Sequence, residues 1–298
     1  MKREKLGFTM VELLTVLAVI AILVALLIPA LAMVRKLAKQ TQQKAQLTTI
    51  DLALTAFKGD YGDYPPSTDR DDKGVQYCGA QKLAEALLGK DLLGFHPKSL
   101  FRNDGTDKGD IDLYPPNLNP SNPADEANLK ERVGLYLEST TANAFRLGDV
   151  SATKPGLFDD TSPLDEDTFV LCDVFGVKRI TIGMGETVKA GTPILYYRAN
   201  TSSKTFQGFP LRERIYNSED NLALINLGIL PDVKPGERHK LWDNAGRYFY
   251  DEEYKVVDSK VSSTMAPGVT WPHRPDSYIL ISAGADGEYG TQDDICNF

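Results

Sequence analysis

The feature that most constrains this chain is a run without a charged residue, from Leu13 to Val34, close to the N-terminus. The run holds 22 residues, and as an α-helix it would be about 33 Å long. Because the hydrocarbon core of a bilayer is about 30 Å thick, the run predicts one membrane-spanning helix. The basic residues Lys2, Arg3 and Lys5 precede it, which predicts a cytoplasmic N-terminus and an exported remainder.

The composition of the chain excludes several classes of protein. Of the 298 residues, 42% are hydrophobic and 25% are charged, which is the usual globular mixture. A wholly disordered, collagen-like or polytopic membrane protein is therefore excluded. The formal net charge of −8 also argues against non-specific nucleic-acid binding, because the phosphate backbone would repel an acidic chain.

The N-terminal run has three interpretations. One is a cleaved secretory signal, since Ala30-Leu31-Ala32 fits the small-x-small cleavage rule. A second is a plain single-pass anchor. Both have to accommodate Glu12, which directly precedes the uncharged run and follows apolar residues. An ionisable side chain costs about 2.5–3.5 kcal/mol at the centre of a membrane helix, and less near the interface.

The third interpretation uses the longer segment KLGFTMVELLTVLAVIAIL, residues 5–23. This segment resembles the start of a type IV prepilin or of a type II secretion pseudopilin. The resemblance implies cleavage by a dedicated peptidase after Gly7 and N-methylation of the new terminus, Phe8. It also makes Glu12 the hallmark glutamate of the class, which would pair with the Phe8 amine of a neighbouring subunit. Pro29 stands where the class commonly has a proline that lets the helix kink or loosen on assembly.

The helix is expected to continue beyond the membrane. Residues 35–58 place apolar side chains at helical spacing, with polar residues between them: Leu47, Ile50, Leu54 and Phe57. The sequence therefore predicts one helix from about Thr9 to Lys58, with Gly59 and Gly62 as stop signals. The Tyr-Gly-x-Tyr-Pro turn that follows, residues 61–65, is similar to the one that ends this helix in the family.

The rest of the chain predicts an α+β head. The predicted helices are residues 82–89, 124–138 and 217–229; the predicted strands are residues 168–175, 177–183, 192–199 and 277–282. A hairpin is also predicted over residues 240–251, with its turn at residues 244–246. The resulting fold is a long N-terminal helix, transmembrane and then amphipathic, packed on a periplasmic head with an antiparallel β-sheet.

We divide the chain into five segments on this basis. They are a leader (1–7), a transmembrane and assembly helix (8–35), an amphipathic helix with its turn (36–66), an enlarged head (67–275), and a C-terminal strand with an acidic loop (276–298). The resemblance covers only residues 1–66 and 276–298. The family's head is much shorter, so the central segment reads as a large insertion.

The C-terminal loop, residues 284–294, combines four carboxylates with three glycines. Calcium binds six to eight oxygens, and glycines let a chain curl around an ion. The loop is similar to the calcium loop of major pseudopilins, which implies side-chain ligands from Asp286, Asp293 and Asp294. Glu288 is a weaker candidate, and the carbonyl groups of Ile281 and Gly284 are candidates for the remaining ligands. The calcium would be structural; a solvated acidic loop without an ion is the open alternative.

The sequence of the head contains no motif that predicts catalytic activity. The sequence contains no Gly-x-Ser-x-Gly, no His-Glu-x-x-His and no phosphate-binding glycine loop, so an enzyme is not expected. Cys78, Cys172 and Cys296 would reach an oxidising compartment, where three pairings are open. Long pili often lock their heads with a C-terminal disulfide, so the resemblance to pilins makes Cys172 with Cys296 a possible pair.

The function implied by the resemblance is that of a pseudopilin in the inner membrane of a type II secretion system. Its implied partners are other pseudopilins, the prepilin peptidase, the inner-membrane assembly platform and the outer-membrane secretin. Two alternatives stay open. One is a type IV pilus subunit, and the other is a membrane-tethered or secreted binding protein or enzyme whose function lies in residues 67–270.

Overall fold

The computed structural model describes residues 9–151, 164–182, 185–203, 215–227, 241, 248–255 and 270–298. The chain divides into two compact units, Met1–Gln42 and Gln43–Phe298. The first unit is helical where it is described. The second combines helices with small antiparallel sheets, so the predicted α+β class is confirmed.

The long N-terminal helix α1, Met10–Tyr61, confirms the predicted continuous helix. The helix continues through Pro29 without a break. Because proline has no backbone N–H, the carbonyl group of Ala25 loses its helical donor at this point. Up to Leu37, the large apolar side chains of α1 are exposed.

From Gln43 onward, α1 buries one side. The buried residues recur every three or four positions: Gln43, Gln46, Leu47, Ile50, Ala53, Leu54 and Phe57. This set contains all four apolar positions that the sequence placed on the inner face. The amphipathic pattern is therefore confirmed in this half of the helix.

A three-stranded antiparallel sheet forms the centre of the second unit. It contains β5 (Leu195–Arg198), β8 (Tyr278–Ser282) and β9 (Ile295–Cys296), with β8 in the middle. All five residues of β8 are buried. The strands predicted over residues 192–199 and 277–282 are both present.

A second sheet lies beside the first. Its strands β1 (Ala144–Arg146) and β2 (Phe169–Leu171) are antiparallel. The backbone joins the sheets through two hydrogen bonds, from the Ile194 N–H to the Leu171 carbonyl at 2.7 Å and from the Asp173 N–H to the Thr192 carbonyl at 2.9 Å. The chain segments therefore follow one another in the order β1-β2-β5-β8-β9.

Both faces of the central sheet are buried. Tyr278 and Leu280 of β8 point into a cluster with residues of α1 and of helix α2 (Gly79–Leu88). Ile279 and Ile281 point the opposite way, into a second cluster. This alternation follows from the two-residue period of a strand, and it explains why β8 is apolar from Tyr278 to Ile281.

Two further strand pairs lie in the described part of the fold. The hairpin of β3 (Lys178–Ile182) and β4 (Glu186–Ala190) contains the strand predicted over residues 177–183. The strand β6 (Tyr250–Lys255) pairs with β7 (Thr270–Pro272). The turn predicted at residues 244–246 lies outside the described residues.

Among the described residues, the second unit also contains the helices α3 (Pro123–Glu131), α4 (Ser139–Ala142), α5 (Leu147–Ser151) and α6 (Leu222–Leu227). The last follows a short 3-10 helix, Ser218–Asn221, whose preceding Asn217 accepts a hydrogen bond from the Glu219 N–H at 3.1 Å. The helix predicted over residues 82–89 is present as α2, and the one predicted over residues 217–229 is present as far as Leu227; residues 228–229 lie outside the described residues.

The helix predicted over residues 124–138 is wrong in its second half, because α3 ends at Glu131. The next residue, Arg132, turns inward and binds both carboxylate oxygens of Asp91 at 2.6 Å. Val133 then forms an antiparallel bridge with Phe95. These contacts with distant residues outweigh the local helix propensity of the segment.

Candidate functional site

The N-terminus of α1 forms a reciprocal cap. The Glu12 N–H donates to Thr9 Oγ1 at 3.2 Å, and the Glu12 carboxylate accepts from the Thr9 N–H at 2.9 Å. The Thr9 hydroxyl also donates to the same carboxylate at 2.7 Å. This arrangement is a capping box, in which two otherwise unpaired N–H groups at a helix start are satisfied. Glu12, predicted as an assembly residue, therefore closes the first turn of its own helix.

The sequence already contained the signal for this cap. A threonine followed three residues later by a glutamate, just before an apolar run, is the usual capping-box pattern. The resemblance assigns Glu12 to pairing between subunits, whereas the structure gives it a local partner in Thr9. The predicted processing residues, Gly7 and Phe8, lie outside the described residues, directly before Thr9.

The apolar part of α1 is unusual for a single chain. Met10 is 88% exposed, and Leu26, Leu27 and Ile28 are each about two-thirds exposed. Among the described residues, α1 is the helix that is long and apolar enough to cross a membrane, and its most apolar window has no buried residue. Since burying one such side chain is worth about 1.5–3 kcal/mol, this surface calls for an apolar environment.

The C-terminal loop is the second candidate site, and its aspartates bind the loop's own backbone. Asp293 accepts from the N–H groups of Ala285 and Asp286 at 2.7 and 3.0 Å. Asp294 accepts from the Gly290 N–H at 2.8 Å, and Asp286 accepts from the Glu288 N–H at 2.9 Å. The three predicted aspartates thus shape one closed loop.

Gly284 makes this closure sterically feasible. Its φ angle is +70°, a conformation that side chains with a Cβ rarely adopt. A Cβ added there would also collide with the carbonyl oxygen of Asp293. The two ends of the loop can approach each other only because this residue is glycine.

The electrostatics of the loop differ among its aspartates. Burial and the charge of Asp293 raise the pKa of Asp286. Burial raises the pKa of Asp294 to about 6. Burial alone would also raise the pKa of Asp293. Hydrogen bonds from Thr291 and from backbone N–H groups outweigh burial, so the pKa of Asp293 is lowered overall. Two of the three carboxylates therefore lack sufficient stabilisation of their negative charge.

The fit of this loop to a metal ion is incomplete in the structure. In the described part of the chain, no group of three or more His, Cys, Asp and Glu side chains is placed to hold an ion. Ile281 pairs with Cys296 in the sheet, Gly284 begins the loop, and Glu288 is half-buried. Calcium binding therefore stays a prediction, and it requires the loop aspartates to release some backbone donors.

The possible disulfide between Cys172 and Cys296 is not formed in the structure, where all three cysteines are free. Cys172 pairs with Pro193 in the segment leading into β5, whereas Cys296 lies on β9. The chains of β5 and β8 run between them. Three strand spacings amount to roughly 14 Å, which far exceeds the Cα separation of about 4.4–6.8 Å in a disulfide.

A comparison with protein-family models gives one match. Residues 2–28 match the model described as the prokaryotic N-terminal methylation motif. Together with the long apolar helix that follows, this motif fits a type IV pilin-like protein. Proteins with this N-terminus are processed by a prepilin peptidase and assemble with other pilin-type subunits. Comparisons of the whole chain with curated proteins and with solved structures give no significant match.

Proposed function

We propose that this chain is a pseudopilin of a type II secretion system. The observation that carries the proposal is the methylation motif on a helix whose apolar side chains are exposed. The basic residues before the helix favour a cytoplasmic N-terminus. The subunit would then cross the inner membrane once and hold its head in the periplasm.

Processing would prepare the chain for assembly. Cleavage after Gly7 removes Lys2, Arg3 and Lys5 with one glutamate, and it exposes the amine of Phe8 for methylation. In the isolated subunit, the cap with Thr9 satisfies the carboxylate of Glu12. In a filament, the methylated amine of a neighbouring subunit would approach this carboxylate. A buried charge is tolerable only when it is paired, so this ion pair would fix the register between subunits.

The filament would serve as a piston or adaptor for protein export. The apolar surface of α1 would leave the lipid and pack against the same segment of other subunits, and Pro29 would allow the helix to adjust. Other pseudopilins, the prepilin peptidase, the assembly platform and the secretin would be its partners. We expect a structural subunit without catalytic activity and without affinity for nucleic acid.

We further propose that the C-terminal loop takes up Ca²⁺ in the exported head. The raised pKa values of Asp286 and Asp294 support the proposal, because a cation would stabilise both charges. Carboxylate and carbonyl oxygens are also the ligands that calcium prefers. The ion would hold the loop in one shape and would take no part in a reaction.

The decisive test is the N-terminus of the native protein, determined by mass spectrometry of a membrane extract. A chain that begins with N-methylated Phe8 supports the proposal. A chain that begins at Met33 would reveal an ordinary signal peptide and would overturn the filament model. In that case, residues 67–270 would become the place to look for a binding or enzymatic function.

A second test separates the pseudopilin from a type IV pilus subunit, since the methylation motif is common to both. A deletion strain is compared with its parent for the set of secreted proteins, for twitching and for DNA uptake. Loss of secreted proteins with normal motility supports the pseudopilin. Normal secretion with loss of twitching or DNA uptake would instead assign the chain to a pilus.

A further inference from the structure

An open cleft lies on the head beside the turn that follows α1. Its walls are the loop of residues 66–74, the end of β5 with residues 199–202, and the segment of residues 215–220. The cleft has a volume of about 710 Å³, within the roughly 300–1,000 Å³ that small-molecule sites occupy. Neither the methylation motif nor the proposed filament uses this part of the head.

Polar or charged residues make up twelve of the sixteen that line the cleft, and most of the charged side chains already have partners. Arg198 donates to Asp63, and Asp72 binds Arg102 through two hydrogen bonds of 2.6 Å. Asp71 accepts three backbone N–H groups at 2.8–3.1 Å. These residues build the walls and have little charge left for a ligand.

Two carboxylates remain for a ligand, those of Asp69 and Asp220. Asp220 is only 4% exposed, and its two oxygens accept one hydrogen bond each, from Ser67 and from Asn217. Each oxygen therefore keeps a second lone pair. Asp69 has a loose ion pair, with Arg70 Nε at 3.6 Å. Burial and, to a smaller extent, the charge of Asp69 oppose ionisation of Asp220 and raise its pKa.

The surroundings hold the two carboxylates in place. Ser67 Oγ also accepts from the Arg198 N–H at 3.0 Å, which ties the loop to the end of β5. The ammonium group of Lys82, which is buried in α2, donates to the Thr68 carbonyl at 2.8 Å and to the Arg70 carbonyl at 3.0 Å. The loop that carries Asp69 is thus fixed before any ligand arrives, which lowers the entropic cost of binding.

We propose that this cleft binds an alkylammonium or guanidinium group, with Asp69 and Asp220 as its anionic ligands. Four aspartates and two arginines line the cleft, so its balance of charge is negative. Asn200, Thr201 and Ser202 also line the cleft, and their side-chain oxygens are acceptors for the remaining N–H groups of such a ligand. The group can belong to a free amine or to a lysine or arginine side chain of a partner protein.

The ionisation of Asp220 makes this binding dependent on pH. The groups that face Asp220 are Asp69 on the loop, Lys82 on α2, Tyr197 on β5 and Asn217 beside it. Burial raises the pKa of Asp220 to about 7, and the charge of Asp69 adds to this effect. The hydrogen bond from Ser67 and the charge of Lys82 lower the pKa but do not cancel the increase. Because the neutral acid attracts a cation weakly, affinity should fall about tenfold from pH 8 to pH 6.

The test is calorimetric titration of the full-length chain, in detergent micelles at pH 8, with agmatine, which carries both kinds of cationic group. We expect saturable binding that weakens at least tenfold in Asp220→Asn and in Asp69→Asn. Glu186→Gln is the matched control, because Glu186 is exposed on β4 away from the cleft, and it should bind as the parent does. Circular dichroism establishes that each variant is folded, and Asp69→Asn alone decides if Asp220→Asn does not fold.

The outcomes distinguish the source of the cation and can overturn the proposal. Tighter binding of the peptide acetyl-Gly-Arg-Gly-amide than of agmatine supports a partner side chain, and the reverse order supports a free amine. Absence of saturable binding at pH 8 overturns the proposal, as does unchanged affinity in both aspartate variants. Binding of Ca²⁺ that is lost in both Asp69→Asn and Asp220→Asn would also overturn it, because the two carboxylates would then belong to a metal site. None of these results depends on the state of the N-terminus, so the proposed filament function is tested separately.

Discussion

The two compact units of this chain differ in the exposure of their apolar side chains. In the first, up to Gln42, large apolar residues are exposed from Met10 to Leu37. In the second, the central sheet buries both of its faces. A folded monomer supplies what the second unit needs, whereas the apolar surface of the first needs lipid or other subunits. The difference separates residues that serve assembly from residues that serve folding.

The polar residues of α1 follow the same division. Glu12 has local partners in Thr9, three residues away. In the second unit, Gln46 donates to the carbonyl groups of Ala142 and Cys172 at 3.1 and 2.9 Å, and Gln43 accepts from the Val174 N–H at 2.9 Å. Substitutions before Gln43 should therefore affect assembly, and substitutions after it should affect the stability of the head.

The largest expected effect comes from blocking the processing of the N-terminus. Substitution Gly7→Asp should prevent cleavage, because the class cuts after this glycine, and should abolish assembly while leaving the melting temperature of the head unchanged. Mass spectrometry and sedimentation of membrane extracts measure both effects. Gly59→Ala is the control, because no atom lies within 4 Å of the added methyl group. Assembly of the uncleaved chain would contradict the proposal that the first unit assembles only after cleavage at Gly7.

The next effect separates the charge of Glu12 from its role as a cap. Glu12→Gln keeps an acceptor for the cap and removes the charge, whereas Thr9→Val removes the hydroxyl and keeps the charge. We expect Glu12→Gln to lose most of the filament and Thr9→Val to retain it, with cross-linking of membrane extracts as the measurement. The opposite order would mean that the helix cap, and not the ion pair, controls assembly.

The head should lose stability as the pH rises towards neutrality. The pKa of Asp294 is raised from 3.8 to about 6, so the folded state binds this proton more tightly than the unfolded state does. The stabilisation is complete below pH 4 and is lost as the pH rises through 6. The shift corresponds to about 3 kcal/mol at pH 8. Asp220, raised to about 7, acts with the same sign.

Denaturant unfolding of the full chain from pH 4 to pH 8 measures this effect. Asp294→Asn should flatten the profile, and Ca²⁺ should restore stability at pH 8 if the loop binds it. Asp293→Asn is the contrasting variant, because the lowered pKa of Asp293 means that its charge stabilises the head above pH 4. A flat profile in the parent would contradict the burial of Asp294, and a Ca²⁺ effect that survives in both variants would contradict calcium binding by the loop.

Local sequence patterns explain how much of this structure could be predicted. The helix over residues 10–61 follows from the spacing of Leu47, Ile50, Leu54 and Phe57 and from the glycines after it. The strand β8 follows from its unbroken apolar run between polar residues. Both signals lie within the element itself, so they could be recognised without knowledge of the tertiary contacts.

The errors concern residues whose partners are distant in the sequence. The residues around Arg132 do not indicate that it binds Asp91, or that α3 ends just before it. The wide separation of Cys172 from Cys296 depends on the order of the strands, which no local pattern specifies. The cleft at Asp220 likewise joins three segments that are far apart in the chain. The acidic character of the C-terminal loop is visible in the sequence. The hydrogen bonds from its own backbone N–H groups to its aspartates are not.

A smaller loss of stability is expected at the contact between α1 and the C-terminus. Asp51 accepts from the Tyr278 hydroxyl at 2.7 Å, from Asn297 Nδ2 at 3.0 Å and from Arg274 Nη1 at 3.0 Å. Asp51→Ala removes all three bonds and should cost about 2 kcal/mol in urea unfolding. Asp51→Asn keeps an acceptor and should lose less. Membrane insertion should be normal in both variants, and an insertion defect would break the division between the two units.

The smallest expected effect is that of a reducing agent, because the sheet order keeps the cysteines apart. Dithiothreitol should leave the melting temperature of the head unchanged. Burial raises the pKa of Cys78 to about 12 and also raises that of Cys172, so neither forms a reactive thiolate at neutral pH. In the folded chain, iodoacetamide should label Cys296, the half-buried thiol, ahead of both. A peptide that links Cys172 to Cys296 in the mass spectrum would require a different strand order and would favour the pilus interpretation.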